Sequence, residues 1–133
     1  RVRSHIKLVE QFNKSFGITI GKQPKALEKS DYQLRYNLMT EELSEYLEAC
    51  ENNDLVEVVD AIVDMAYVLN GFIVAHGLQK HFDKLFNEVH NSNMSKLENG
   101  KVLRRQDGKV LKGKNFFTPE IEKIITNDNR RRN

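Results

Sequence analysis

Apolar residues recur at helical rather than strand spacing along most of this chain. Val2, Ile6, Val9 and Phe16, with Phe12 alongside, form one stripe over residues 1–16, and Gly17 is placed to end that helix. Residues 17–30 read as a loop with Gly21, Pro24, Lys22 and Lys25, the kind of segment that forms pocket walls. A second helix starts near Ser30, where Ser30 and Gln33 have capping-box spacing and Asp31 suits a first turn. Its apolar surface is Leu34, Leu38, Tyr46, Leu47 and Cys50. Asn52-Asn53-Asp54 breaks the pattern and caps a third helix from 54 to about 76.

That third helix is apolar nearly all round. Leu55, Val58, Val59, Ile62, Val63, Met65, Ala66, Val68 and Leu69 cover most of its circumference, which marks a central element. His76-Gly77 ends it. A fourth helix follows from about Leu78 to Asn91, with Leu78, Phe82, Leu85, Phe86 and Val89 as its apolar positions. Two antiparallel pairs joined by short loops predict an all-α four-helix bundle over about 1–91. A basic extension, 92–133, completes a single domain of 133 residues. Within it, Asn99-Gly100 and Asp107-Gly108 are turn signals. Val102-Leu103 and Val110-Leu111 flank the second, so a small β-hairpin is expected there. Thr118-Pro119-Glu120 then starts a short helix carrying Ile121, Ile124 and Ile125. Asn127–Asn133 reads as a frayed tail. The central helix is too apolar for four helices to cover alone, so the helical pairs are expected to dimerise.

Composition narrows the class. A chain that is 39% hydrophobic and 30% charged is a soluble globular protein rather than a disordered one. Its single cysteine, Cys50, permits no intrachain disulfide and points to a reducing, cytoplasmic setting. Cys50 reads as core rather than nucleophile. The most apolar stretch, 55–75, is interrupted by Glu57, Asp60 and Asp64, so no membrane span is expected.

Charge changes the picture more. Glu41 to Asp64 holds nine acidic residues and no Lys or Arg, whereas the rest of the chain has 21 basic residues against ten acidic ones. Residues 95–133 alone carry eleven Lys/Arg against five Asp/Glu, which suits binding of phosphates. Glu41, Glu42 and Glu45 share one helix face, as do Glu57, Asp60 and Asp64. If the two helices face each other, these carboxylates converge and repel unless a cation neutralises them. Mg²⁺, or Mn²⁺, is the natural candidate because hard cations prefer carboxylate oxygens. A solvated acidic face accounts for Glu48, Glu51 and Asp54. It does not account for Asp60 and Asp64, which are embedded among apolar residues.

Carboxylate-held Mg²⁺ suits hydrolysis of a phosphoanhydride, with a carboxylate orienting or deprotonating the attacking water. Other chemistries fail on spacing. There is no Walker-type glycine loop, no EF-hand loop and no Cys/His zinc pattern. A di-iron bundle needs Glu-x-x-His, and His5, His76, His81 and His90 follow Val2, Ile73, Leu78 and Asn87 at that distance.

Glu41-Glu42-Leu43-Ser44-Glu45 followed by Glu57-Val58-Val59-Asp60 resembles the EExxE…ExxD signature of the all-α NTP pyrophosphohydrolases. The segments DAIVDMAYVLNGFIVAHGL, FDKLFNEVHNSNMSKL and DGKVLKGKNFFTPEI are similar to the MazG-like, phosphoribosyl-ATP-pyrophosphohydrolase-like branch. The resemblance covers roughly 31–121 and points to a homodimer or a dimer of dimers. It implies Mg²⁺-dependent cleavage between the α and β phosphates of a nucleoside triphosphate, giving a monophosphate and pyrophosphate. By that resemblance Glu42, Glu45, Glu57 and Asp60 are metal ligands, Glu41 is a further ligand or the base that orients the attacking water, and Glu45 is catalytic as well. An alternative register gives Asp64 the ligand role and leaves Ala61 where the motif has its second Glu. The resemblance also makes Asn93 and Lys96, with Asn91, nucleotide contacts, and Lys112 and Lys114 a basic segment over the phosphates. Arg35 reads either as a salt-bridge residue or as a phosphate contact, and Tyr67 either stacks on a base or packs in the core. Two rival readings remain: a helical module that binds nucleic acid through its basic end, and a member that senses nucleotides without hydrolysing them. The first leaves the acidic cluster without a use, so nucleic acid is not the expected partner.

Overall fold

The computed structural model describes the backbone of residues 3–130 and side chains through residue 126. Five α-helices and no named strand occur among the described residues: α1 (His5–Ser15), α2 (Lys29–Glu51), α3 (Leu55–Ala75), α4 (Phe82–Met94) and α5 (Ile121–Arg130). The fold is all-α. The chain forms two compact units, Arg1–Gln79 with α1, α2 and α3, and Lys80–Asn133 with α4 and α5.

In the first unit α3 packs against both α1 and α2. Ser4 caps α1 by accepting the Lys7 N–H at 3.2 Å. The helix ends in a Schellman turn, with Ile18 N–H donating to the Asn13 carbonyl at 2.8 Å. Val2, assigned to the apolar stripe, lies outside the described residues. The capping box at Ser30 does not form. Asp31 and Tyr32 donate their N–H groups to Glu28, so α2 begins before Ser30, which is left inside its first turn. The Asp31 carboxylate instead accepts the Thr19 hydroxyl at 3.1 Å. Asp54 caps α3 as expected, accepting the Glu57 N–H at 3.2 Å.

Two small buried residues, Ala49 on α2 and Ala61 on α3, sit among the core positions of this helix pair. Cys50, expected in the core, is exposed, and its neighbour Ala49 takes the inward place. Val74 is completely buried near the end of α3. There Gly77, at φ 73°, lets Leu78 N–H reach the Ile73 carbonyl at 2.9 Å. The 17–28 loop is tied to that end. Gly21 N–H donates to Val74 at 2.8 Å and Lys25 N–H to His76 at 3.0 Å. By length and composition alone α3 is apolar enough to cross a membrane, so Asp60 and Asp64 do not exclude a span as the sequence suggested.

The second unit departs from the expected boundaries. Leu78 closes the turn after α3 and the Gln79 amide donates to the Gly21 carbonyl at 2.9 Å, so α4 starts at Phe82 rather than Leu78. It runs on to Met94. The hairpin around Asp107-Gly108 is reduced to an isolated antiparallel bridge between Arg104 and Val110, with Leu111 N–H donating to Leu103 at 2.7 Å. Asn99-Gly100, both with positive φ, turns a second bridge between Glu98 and Lys101. Thr118 does not cap α5. Its first turn closes on the Glu120 carbonyl, which accepts the Ile124 N–H at 3.3 Å, and the Glu88 carboxylate accepts the Glu120 N–H at 3.1 Å. Helix α5 continues through Arg130, where a frayed tail was expected; residues 131–133 lie outside the described part.

Candidate active site

Helices α2 and α3 carry their chemistry in matching two-turn steps. Arg35, Glu42 and Ala49 recur every seven residues on α2, and Gly71, Asp64 and Glu57 recur in the opposite direction on α3. Seven residues are close to two turns, so each set stays on one face. At the first level the Arg35 guanidinium is buried against Gly71, in space that a side chain at Gly71 would fill. Burial pulls Arg35 below its ordinary pKa, with Asp31 acting in the other direction.

One level on, Glu42, Glu45 and Asp64 converge. Carboxylate oxygens of all three lie within 4.8 Å of one another. Glu42 and Asp64 are half-buried and Glu45 is exposed. Crowding shows in Glu42, whose pKa is pushed up to about 7. Loss of water around it is the largest cause. The charges of Glu45 and Asp64, a hydrogen bond with Glu45, and the charge of Glu41 add to it. Its Oε2 is buried without a hydrogen-bond partner. A buried, unpartnered carboxylate oxygen facing two further carboxylates fits a hard divalent cation, which takes oxygen ligands and removes the repulsion.

At the last level a cleft of about 420 Å³ is lined by Glu45, Glu48, Ala49, Asn52, Asp54, Glu57 and Asp60. The candidate ligands thus divide. Asp64 joins Glu42 and Glu45, while Glu57 and Asp60 line the adjoining cleft, and Glu45 belongs to both. Glu48 and Asn52 were not singled out from the sequence. Spacing of Glu45 and Glu48 at i,i+3 was the available signal. Ala61, which stands where the motif's second Glu would fall in the Asp64 register, is 2% exposed.

A second cavity of about 240 Å³ opens between α1 and α3, lined by His5, Leu8, Val9, Val63, Ala66, Tyr67 and Asn70. Tyr67, one turn after Asp64, is held edge-on to Phe12 with ring centroids 5.7 Å apart. His5 carried no functional signal in the sequence.

Residues 9–93 match the family described as phosphoribosyl-ATP pyrophosphohydrolase. The chain belongs to that family. This places it in the all-α NTP pyrophosphohydrolase superfamily, as the EExxE pattern implied. Family membership points to a hydrolase acting on a phosphoanhydride with a divalent metal, and the carboxylate cluster lies inside the matched segment. No curated protein matches the chain.

The remaining sequence candidates lie in the second unit. Asn91 and Asn93 are exposed on the last turn of α4, and Lys96 is half-buried just beyond it. Lys112 and Lys114 are exposed, with the Lys112 ammonium 4.7 Å above the Phe116 ring.

Proposed function

We propose that the protein is a Mg²⁺-dependent nucleoside triphosphate pyrophosphohydrolase that cleaves the α–β phosphoanhydride and releases a monophosphate and pyrophosphate. The observation that carries this is the meeting of Glu42, Glu45 and Asp64 within 4.8 Å, with Glu42 driven to about 7 by its neighbours and its burial. A bound Mg²⁺, or Mn²⁺, supplies charge neutralisation for the phosphate oxygens. Glu42, Glu45 and Asp64 hold it, and Glu57 and Asp60 extend the acidic wall of the adjoining cleft.

Glu41 lies next to Glu42 on the exposed side and needs no burial to act. It, or Glu45, orients the attacking water and takes its proton. The α1–α3 cavity accepts the base, with Tyr67 offering its ring and Asn70 a polar edge. Asn91, Asn93, Lys96, Lys112 and Lys114 contact the nucleotide and its phosphates. Arg35 holds α2 against α3 from its buried place beside Gly71 rather than meeting a phosphate.

A homodimer completes the molecule. Val59 and Ile62 lie on the central helix yet are 50% and 48% exposed, an apolar face that a second copy covers. The exposed thiol of Cys50 suits a reducing, cytoplasmic setting. Pyrophosphate release from a panel of NTPs and dNTPs, with Mg²⁺ and with EDTA, tests the reading. Turnover of one or a few members that EDTA abolishes supports it. Mg²⁺-dependent nucleotide binding with no turnover would replace it by the sensing role.

A further inference from the structure

The end of α4 and the basic segment near residue 113 are fastened together by main-chain and serine hydrogen bonds. Ser92 is 3% exposed, and its hydroxyl donates to the Phe117 carbonyl at 2.8 Å. The Ser95 hydroxyl donates to the Ser92 carbonyl at 2.6 Å and accepts the Phe117 N–H at 3.2 Å. Gly113 N–H donates to the Lys96 carbonyl at 2.9 Å. Gly113 is itself buried, and a Cβ there would stand 2.9 Å from the Lys96 carbonyl oxygen, 3.1 Å from that of Leu97 and 3.2 Å from the Glu98 Cβ. Only a residue without a side chain fits. Phe116 N–H then donates to Gly113 at 3.2 Å, closing a turn that sets the Phe116 ring beneath the Lys112 ammonium.

This clasp brings the main chain at Lys96 beside that at Lys112 and Lys114, since the Lys96 carbonyl accepts the N–H of the residue between the other two. Among the described residues, none of the ion pairs takes up Lys96 or Lys114. We infer that Ser92, Ser95 and Gly113 are positioning residues: they hold the three lysines as one site for a pyrophosphate group, the leaving end of the nucleotide. The inference rests on the nucleotide reading for its biological ligand. The clasp itself lies within the second unit. Its chemistry is electrostatic. A lysine side chain is flexible, and fixing the backbone of all three removes part of the entropy that binding a polyanion costs.

The test uses the full-length protein and two ligands, a nucleoside triphosphate that it turns over and inorganic pyrophosphate. Ser95→Ala and Gly113→Ala are expected to raise KM, and the pyrophosphate inhibition constant with it, by about five-fold, the scale of one or two lost hydrogen bonds. The kcat stays within about two-fold, and Ser95→Thr restores KM. In a Lys96→Ala/Lys112→Ala/Lys114→Ala background Ser95→Ala has no further effect, because the serine acts through those lysines. Thermal melts confirm that each variant folds. An unchanged KM in Ser95→Ala, or the same five-fold loss in the lysine-free background, overturns the inference. Should the wild type turn over no nucleotide, the function proposed above fails. The clasp is then read by calorimetric titration with magnesium pyrophosphate. Binding that weakens several-fold in Ser95→Ala supports it, and absence of binding to the wild type overturns it.

Discussion

Glu42 on α2 and Asp64 on α3 bring carboxylate oxygens within 4.8 Å of each other across the helix pair. They hold the centre of a two-turn repeat that has Arg35 beside Gly71 at one end and the acidic cleft at the other. The pairing puts the negative charge where water is scarce, and a divalent cation relieves it.

The pH dependence follows from Glu42. Its folded pKa of about 7 lies above the ordinary 4.5, so the folded protein binds this proton more tightly than the unfolded chain does. That contribution to stability is complete below the unfolded value. It is lost as pH rises through about 7. In metal-free buffer the melting temperature should therefore fall between pH 5 and pH 8 by more than in Glu42→Gln. Added Mg²⁺ should raise it more at pH 8 than at pH 5. Equal pH slopes for the two proteins, followed by scanning calorimetry, would count against the crowded carboxylates.

Gly71 should behave unlike a surface helix glycine. Replacing a helical glycine by alanine ordinarily gains about 1 kcal/mol. Here the added methyl meets the buried Arg35 guanidinium, and overpacking costs roughly 1–3 kcal/mol. Gly71→Ala is thus expected to destabilise the protein, and to stabilise it in an Arg35→Met background. Urea denaturation of the four proteins gives the sign change directly. A stabilising Gly71→Ala in the parent would contradict the placement of Arg35.

The uncovered face of α3 makes a claim about assembly. Val59 is 50% exposed on the most apolar helix of the chain. A charge there, as in Val59→Lys, should shift the protein from dimer to monomer in sedimentation velocity without loss of helical circular dichroism. A wild type that sediments as a monomer at all concentrations would remove the homodimer from the account.

Sequence periodicity located α2 and α3 well because long apolar stripes and the Asn52-Asn53-Asp54 break are local signals. It also put Glu42 and Glu45 on one helix face, since i,i+3 spacing is enough for that, and the structure brings both to Asp64. The choice between Asp60 and Asp64 was out of reach. The two aspartates lie one turn apart on α3, and only the α2–α3 register decides which meets Glu42. Burial of Arg35 was equally hidden, because it depends on Gly71 thirty-six residues away leaving room. The start of α4 was misjudged for a similar reason: the Gln79 amide bonds back to Gly21, a contact of long sequence separation. In the basic extension, turn residues were legible. The serine clasp was not, since Ser92 and Ser95 meet Phe117 only in the folded unit.

The most direct test of the central claim compares the wild type with Asp64→Asn and Glu45→Gln for nucleoside monophosphate and pyrophosphate release from an NTP panel in Mg²⁺. The account predicts turnover by the wild type that EDTA abolishes. It predicts a loss of at least about a hundred-fold in each variant, the scale of removing a group that stabilises charge in the transition state. Melting temperatures in EDTA at pH 8 should be equal to or above the wild type's, since each change removes a repelling charge. Turnover that survives Asp64→Asn, or that proceeds in EDTA, would contradict it.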